Sequence, residues 1–599
     1  MQKQWRLLPD PPQPFYDEHP ELPPVVARLL FHRNIIDAKK IDEFLNPDYT
    51  EDVHDPSLFR DMRKAVGRIF AAIDAQEKIT VHGDYDADGV CGAVILVSTI
   101  KTVGGASVGV FLPHRETDGY GLNKKNVQYL ADEKTNLIIT CDCGISNKEE
   151  IELANSLGMD VIVTDHHSIP HELPPAYAII HPKIEGEPYP DKGLCGGAVA
   201  FKLAQALLST HKQKGGALPN GQSHESFEKW LLGMVAIASV ADMVPLLDES
   251  RTLTKYGLVV LNKTNQIGLQ KLLLEARLME EDGSKKREFD THTIGFQIAP
   301  RLNAAGRMNH ANVAFNLLMT ADPTEAADLA HELNKNNQDR QDLVEKLCKE
   351  AEEQADAQKD APVLIIIGRG WSTGIVGLIA GKIKEKQYRP TIVVAVNESG
   401  VTGSGRSIDE FNMIQALQEL PPQLFQKLGG HPMACGFTLA GEQEIEPLKQ
   451  ALIEKYQEKT AGLDVSPKLL VDAEIALEDV SWVLYDILQK FEPFGKDNEK
   501  PTYFARGVTV QTVKSIGKNG NHITIMGSHR TNKLRKMIGW GFCSDSEEKM
   551  NWCKILHQGD RIDVVFEIGV NEWNGNREIQ LRIVDLKKRI EHGLNELDE

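Results

Sequence analysis

The chain has 599 residues, 41% of them hydrophobic, with 86 Asp and Glu against 67 Lys and Arg and a net charge of −19. That length calls for several domains with buried cores of ordinary size, and no run of about 18 apolar residues exists to span a membrane, so no membrane partner is expected. The acidic balance excludes a protein that coats nucleic acid nonspecifically, while leaving room for a local basic groove.

In chain order, residues 1–70 read as a Pro-rich lead-in followed by short helices. Residues 1–15 hold Asp10 and several prolines where a signal peptide needs an apolar core, so a cytoplasmic location is expected. Between 71 and 320, short apolar runs at 79–81, 108–112, 137–140 and 161–164 alternate with helical patterns such as 90–101. Strands separated by helices indicate a parallel α/β sheet. The stretch 211–224, rich in Gly, Lys, Gln and Ser, reads as a surface loop. From Pro323 to about Lys359 the chain has strong helix formers and no internal Pro or Gly. Such a helix would span roughly 50 Å and connect two lobes. A second α/β unit, 360–462, follows, with strands at 363–367 and 391–396 around a helix at 374–386. Residues 463–599 are a linker and then short β-rich runs with Gly and Asn turns, the pattern of a small β-barrel. Residues 501–590 carry 15 Lys and Arg against 9 Asp and Glu, a local excess of 15 − 9 = +6 that suits a polyanion-facing module or a solvated basic face.

The densest chemical signal is His82-Gly83-Asp84-Tyr85-Asp86-Ala87-Asp88-Gly89, directly after a predicted strand. If the segment stays extended, residues two apart share a side, so His82, Asp84, Asp86 and Asp88 converge. Carboxylates packed this closely repel or stay protonated unless a cation joins them. An Asx-rich turn is the plain alternative. A calcium loop is disfavoured by the missing Glu at the EF-hand spacing. Two further strands end alike, one in Asp142 and Gly144, the other in Asp165, His166 and His167, and Asp242 follows an apolar stretch. Ligands of open α/β sheets sit beyond the carboxyl ends of strands. Oxygen ligands with a few imidazoles and no thiolates suit Mn²⁺ or Mg²⁺ better than structural zinc. The eight cysteines form no CxxC pair, so free thiols are expected rather than a disulfide framework or structural zinc. Cys141 and Cys143 read as small strand-end residues. The pattern is that of a hydrolase for phosphate esters or anhydrides.

GDYDADG at 83–89, CDCG at 141–144, DHH at 165–167 and ADMVPL at 241–246 together resemble, in order and spacing, the four motifs of the DHH phosphoesterase family. The resemblance implies two α/β lobes (DHH and DHHA1) joined by the long helix, plus a C-terminal OB-fold barrel. It also implies two metal ions, usually manganese. His82, Asp86 and Asp142 would hold one ion; Asp88, Asp142, His166 and Asp242 would hold the other, with Asp142 bridging. His167 would contact the scissile phosphate, supported by Asp84 and Asp165.

Within the family the likeness is to its single-strand-specific exonucleases. RLNAAGR at 301–307 is similar to a segment beside their DNA path, implying contacts from Arg301, Asn303 and Arg307. GSGRS at 403–407 and GGHPMACG at 429–436 resemble the DHHA1 lobe, implying contacts from Ser404, Arg406, Gly430 and His431. Glycines there would let backbone N–H groups approach phosphate. FLPHRETDGYGL at 111–122 offers Arg115 as a phosphate or DNA-end contact and Tyr120 for base stacking, or else a loop salt bridge and a core aromatic. Two departures stand out: Ser372-Thr373 occupies the place of a common His, and Asp497 and Glu499 replace the second Gly and the following Pro of a Pro-Phe-Gly-x-Gly-Asn-Pro linker at 493–501.

The implied activity is 5′→3′ hydrolysis of single-stranded DNA to 5′-mononucleotides in repair and recombination, by a monomer, with single-strand-binding protein and a helicase as partners. A phosphodiesterase for cyclic dinucleotides or short oligonucleotides is the second enzyme reading. A non-catalytic scaffold is the third, disfavoured because every expected ligand is present.

Overall fold

A computed structural model describes residues 3–398, 400–544, 550–573 and 576–589. The chain forms two compact units, one of residues 49–245 and 249–465, the other of residues 1–48, 246–248 and 466–599.

The larger unit contains two α/β lobes. In the first, β1 (Ile79–His82), β2 (Val108–Phe111), β3 (Leu137–Cys141), β4 (Asp160–Thr164) and β5 (Ala178–Ile180) form a parallel sheet in the order β2-β1-β3-β4-β5. Its inner strands, β1 and β3, are buried at every position, which is why they read as unbroken apolar runs rather than as alternation. The short β5 escaped the sequence reading. Helix α1 (Ala87–Thr102) follows β1, and α2 (Gly196–Gln213) and α3 (His224–Ala241) pack on it. Helix α1 lies close on β3 because Gly92 has no side chain: a Cβ there would stand 2.1 Å from Cys141 Sγ. Helix α4 (Ala299–Met308) follows a π-helical turn at Ile294–Ile298. The long helix α5 (Pro323–Asp356) has 34 residues and starts at an Asp322 cap.

In the second lobe, β6 (Leu364–Arg369) pairs parallel with β7 (Thr391–Asn397), with α6 (Val376–Gln387) between them. Then β8 (Gly400–Arg406), β9 (Phe425–His431) and β10 (Ala434–Leu439) complete an antiparallel half in the order β9-β10-β8-β7-β6. The GSGR segment is therefore a strand between two neighbours, with its backbone committed to the ladder rather than to a phosphate. Its glycines serve packing: a Cβ at Gly403 would meet Phe437 at 2.2 Å, and one at Gly405 would meet Met413 Sδ at 2.2 Å.

The smaller unit holds a barrel closed by pairing of Tyr503–Ile516 with Arg561–Trp573. The N-terminal segment is not a free-standing lead-in. Residues Gln4–Leu7 pair with Lys468–Val471, Trp5 packs on Phe504 and Val565, and helix Pro24–His32 shares the barrel's core. The expectation of free thiols fails at one pair, because Cys543 and Cys553 form a disulfide with Cα atoms 5.2 Å apart. The Trp552 N–H donates to Phe542 O and folds the two segments together, a contact that no cysteine spacing announces. The other six cysteines are free and buried. Among the described residues no helix is long and apolar enough to cross a membrane.

A buried ion pair braces the first lobe. Lys202 on α2 is fully buried and donates to Glu249 Oε1, Gln205 Oε1 and His54 O, each at 2.7 Å, while Tyr189 OH donates to Glu249 Oε2 at 2.5 Å. Removing one partner strands the other charge in an apolar interior, at a cost of about 3–5 kcal/mol. Lys202→Met should accordingly lower the thermal unfolding midpoint of the larger unit by several degrees; an unchanged midpoint would refute that role.

Candidate metal centre

The centre forms at the carboxyl ends of β1, β3 and β4. Backbone turns, not strand alternation, bring the first motif together. After His82 the chain leaves the sheet; Asp86 becomes the N-cap of α1, its Oδ1 accepting from the N–H groups of Asp88 and Gly89 at 3.0 and 3.1 Å. Asp88 thus lies in the helix's first turn, and the expected extended run ends at the cap. Gly89 permits the fold-back, since a Cβ there would stand 2.6 Å from Asp84 N. Asp142, just beyond β3, takes a left-handed conformation with φ 61°, unusual for a residue with a side chain. Gly144 follows with φ 110°.

Three clusters of donor atoms result, the atoms within each lying within 4.8 Å of one another: Asp84, Asp86 and Asp142; Asp88, His166 and Asp242; and Asp142, His166 and His167. Asp142 and His166 each belong to two of them. His166 Nε2 lies 3.1 Å from Asp142 Oδ1, 3.5 Å from Asp242 Oδ2 and 3.7 Å from Asp88 Oδ2. His82 is fully buried beside Cys143 but belongs to none of these clusters, and Asp84 stands among the carboxylates in its place. Asp165 turns away and clamps the loop: Oδ1 accepts from the N–H groups of His166 and His167 and pairs with His167 Nδ1 at 2.8 Å, while Oδ2 accepts from Ile145 N.

Electrostatics make the cluster costly without a cation. Burial, then the neighbouring carboxylates, pushes Asp142 and Asp84 well above the ordinary range, Asp88 up to about 6 and Asp242 up to about 9. Asp84 Oδ1, from the first of these clusters, is buried with no hydrogen-bond partner in the protein. Unspent lone pairs and mutually repelling carboxylates are what a divalent ion relieves, so the residues fit one. Burial alone would raise the Asp165 carboxyl and lower the His167 imidazole; their hydrogen bond and charge pairing reverse both shifts.

Sequence reasoning missed the support from α2. The N–H groups of Gly196 and Gly197 donate to Asp88 Oδ2 and Oδ1 at 2.8 and 2.6 Å, placing a helix N-terminus on that carboxylate. A Cβ on Gly196 would stand 2.5 Å from Asp142 Cβ. The GG pair before an apolar helix was the available signal. Lys183 was missed too; it donates to His166 O at 2.5 Å.

The residues expected to meet nucleic acid divide into two sets. Asn303 is turned inward, its Oδ1 accepting from Ala87 N at 2.7 Å, and Arg301 is held by Asn334 Oδ1 and Gln297 O. The other set faces the space between the lobes. Arg115 lies 4.7 Å over the Tyr85 ring. Arg307 donates to Gly374 O at 2.7 Å, and burial followed by the Arg115 charge lowers it to about 10. Arg406 bonds Ser404 Oγ and Gly405 O, and it too is lowered by burial and by Arg115. His431, on the edge strand after Gly430 (φ 141°), feels the charges of His167 and Lys183. Ser372 donates to Glu116 across the two lobes. Tyr120 donates to Asp142 O at 2.9 Å and lies 3.0 Å from His167 Nδ1.

A parallel sheet collecting acids and imidazoles at its strand ends, coupled to a second α/β lobe, is the arrangement of a DHH phosphoesterase. The chain matches the DHH family N-terminal domain over residues 78–239, the DHHA1 domain over 360–458 and the RecJ OB domain over 471–585. It is 36% identical over 571 residues to the single-stranded-DNA-specific exonuclease RecJ of Bacillus subtilis, covering 95% of this chain and 68% of that one. It is 30% identical to RecJ of Escherichia coli, covering 94% and 96%. The crystal structure of Thermus thermophilus RecJ with Mn²⁺ superposes with a TM-score of 0.79 at 27% identity, covering 98% of this chain and 80% of that one. The chain belongs to the RecJ family.

Groups that hold a ligating side chain in place commonly contribute about 10–100-fold to metal affinity. Gly196→Ala should weaken Mn²⁺ binding by about that factor in calorimetry, through displaced Asp142. Wild-type affinity in this variant would show that α2 does not shape the centre.

Proposed function

We propose that the protein is a divalent-metal-dependent exonuclease that degrades single-stranded DNA from its 5′ end to 5′-mononucleotides, in DNA repair and recombination. The observation that carries this reading is the convergence of seven acids and imidazoles, from four separate segments, in a chain of the RecJ family. Asp84, Asp86 and Asp142 would hold one ion and Asp88, His166 and Asp242 a second, with the Asp142 carboxylate, 3.1 Å from His166 Nε2, close enough to serve both; the mixed oxygen and imidazole set suits Mn²⁺. Bound there, such ions acidify water and neutralise the charge that develops on the phosphate. The chain's own residues do the rest. Asp165 orients His167 through Nδ1, and the imidazole would meet a phosphate oxygen. Arg115, Arg307 and Arg406, with Ser404, offer forked donors to a terminal phosphate, and His431 bounds the same space. Asp86 and Asn303 fix the start of α1, and with it Asp88.

In the barrel unit, Tyr503 and Phe504 are core residues, whereas Trp540 is 55% exposed with its ring edge-on to His522 at 4.7 Å. An exposed indole in a locally basic barrel supports single-strand binding by stacking. The side chain of Trp573 lies outside the described residues.

Digestion of end-labelled strands tests the reading. Single-stranded DNA should be lost from the 5′ end with Mn²⁺, duplex should persist, and EDTA should stop the reaction. Asp142→Ala should abolish cleavage while strand binding stays within about threefold, since the phosphate-facing arginines and the barrel are untouched. Cleavage indifferent to EDTA, or products confined to dinucleotide substrates, would overturn it.

A further inference from the structure

The geometry points to Tyr120 as a positioning residue for the metal centre, a hydroxyl strap between His167 and the backbone of Asp142, rather than a platform for a DNA base. The proposal rests on the reading of this centre as one that hydrolyses the phosphodiester bonds of DNA.

Three observations carry it. First, the Tyr120 hydroxyl donates to the carbonyl oxygen of Asp142 at 2.9 Å and sits 3.0 Å from His167 Nδ1, with the rings edge-on at a centroid distance of 5.3 Å. One hydroxyl therefore touches the residue shared by two donor clusters and the imidazole aimed at the phosphate. Second, the carbonyl it binds belongs to the residue with φ 61°, so the hydrogen bond falls on the backbone that most needs an external hold. Third, the loop carrying Tyr120 is itself pinned to the segment after β3. Gly121 takes φ 72° with no room for a Cβ, which would stand 2.7 Å from Asn147 Oδ1. Asn147 accepts from Leu122 N and donates to Leu122 O, while Asn123 Nδ2 donates to Asp118 O. The hydroxyl is thus placed by a braced turn, not by a free loop tip.

His167 is consequently held by two side chains: Asp165 Oδ1 lies 2.8 Å from its Nδ1, and the Tyr120 hydroxyl lies 3.0 Å from Nδ1 and 3.4 Å from Nε2. An imidazole so held cannot rotate away when a phosphate leaves, which keeps the reacting geometry in place between successive cuts. That is an orientation effect, and it should appear in turnover rather than in substrate affinity.

Tyr120→Phe removes the hydroxyl and keeps the ring; Tyr120→Leu removes both. Each would be assayed on single-stranded DNA and on bis(p-nitrophenyl) phosphate, a small diester with no base, with Mn²⁺ affinity and thermal midpoint measured alongside. The expected result for Tyr120→Phe is a fall in kcat of about tenfold or more on both substrates, with KM within about threefold and Mn²⁺ affinity and midpoint near wild type. Tyr120→Leu should fall no further on the small diester. A Phe variant with full turnover, alongside a Leu variant impaired on DNA alone, would overturn the strap and return Tyr120 to base stacking. If wild-type protein hydrolyses the diester but leaves DNA intact, the exonuclease reading fails, while the ratio of Phe variant to wild type on the diester still decides the strap.

Discussion

The structure depends on carboxylates that are buried together although they repel one another. Asp84, Asp88 and Asp142 are almost entirely withdrawn from solvent, and each is pushed upward by burial and by its neighbours. An arrangement that unfavourable persists only if the surrounding fold overdetermines it and a cation compensates it. The overdetermination is visible: a helix cap at Asp86, two helix N–H groups on Asp88, a left-handed backbone at Asp142 and a carboxylate clamp at Asp165. Glycines make the crowding possible, since Gly89, Gly92, Gly196 and Gly197 all stand where a Cβ would collide with the centre or its supports.

Much of this was legible in the sequence, for reasons that can be named. Four of the five strands of the first lobe read correctly because a parallel sheet buried on both faces leaves uninterrupted apolar runs, and chemistry gathers at the carboxyl ends of such runs. The long helix was legible from composition. What could not be read were contacts that depend on three-dimensional approach. Asp88 was expected to converge by strand alternation and does so from a helix turn instead. Gly403 and Gly405 resembled a phosphate cradle, yet they make room for Phe437 and Met413. Asn303 carries a DNA-contact pattern but caps a helix. The Cys543–Cys553 disulfide joins residues ten apart with no spacing signature.

The two lobes of the larger unit share the work unequally. The first supplies every donor in the three clusters, whereas the second contributes Arg406, Ser404 and His431 around the space in front of them. Arg307 to Gly374 and Ser372 to Glu116 link the lobes directly. Ser372 offers a hydroxyl held by an acid of the opposite lobe, so the contact is a bridge within the protein.

Asp242 caps the end of α3, about 160 residues after the first acidic motif. A ribosome delivers the strands of the first lobe well before it delivers this residue, and the lobe's core also needs α2 and α3. The proposed second ion therefore lacks a full set of ligands until synthesis has passed that point. The centre of a chain assembled this way stays incomplete for as long as the nascent chain is short of the end of α3.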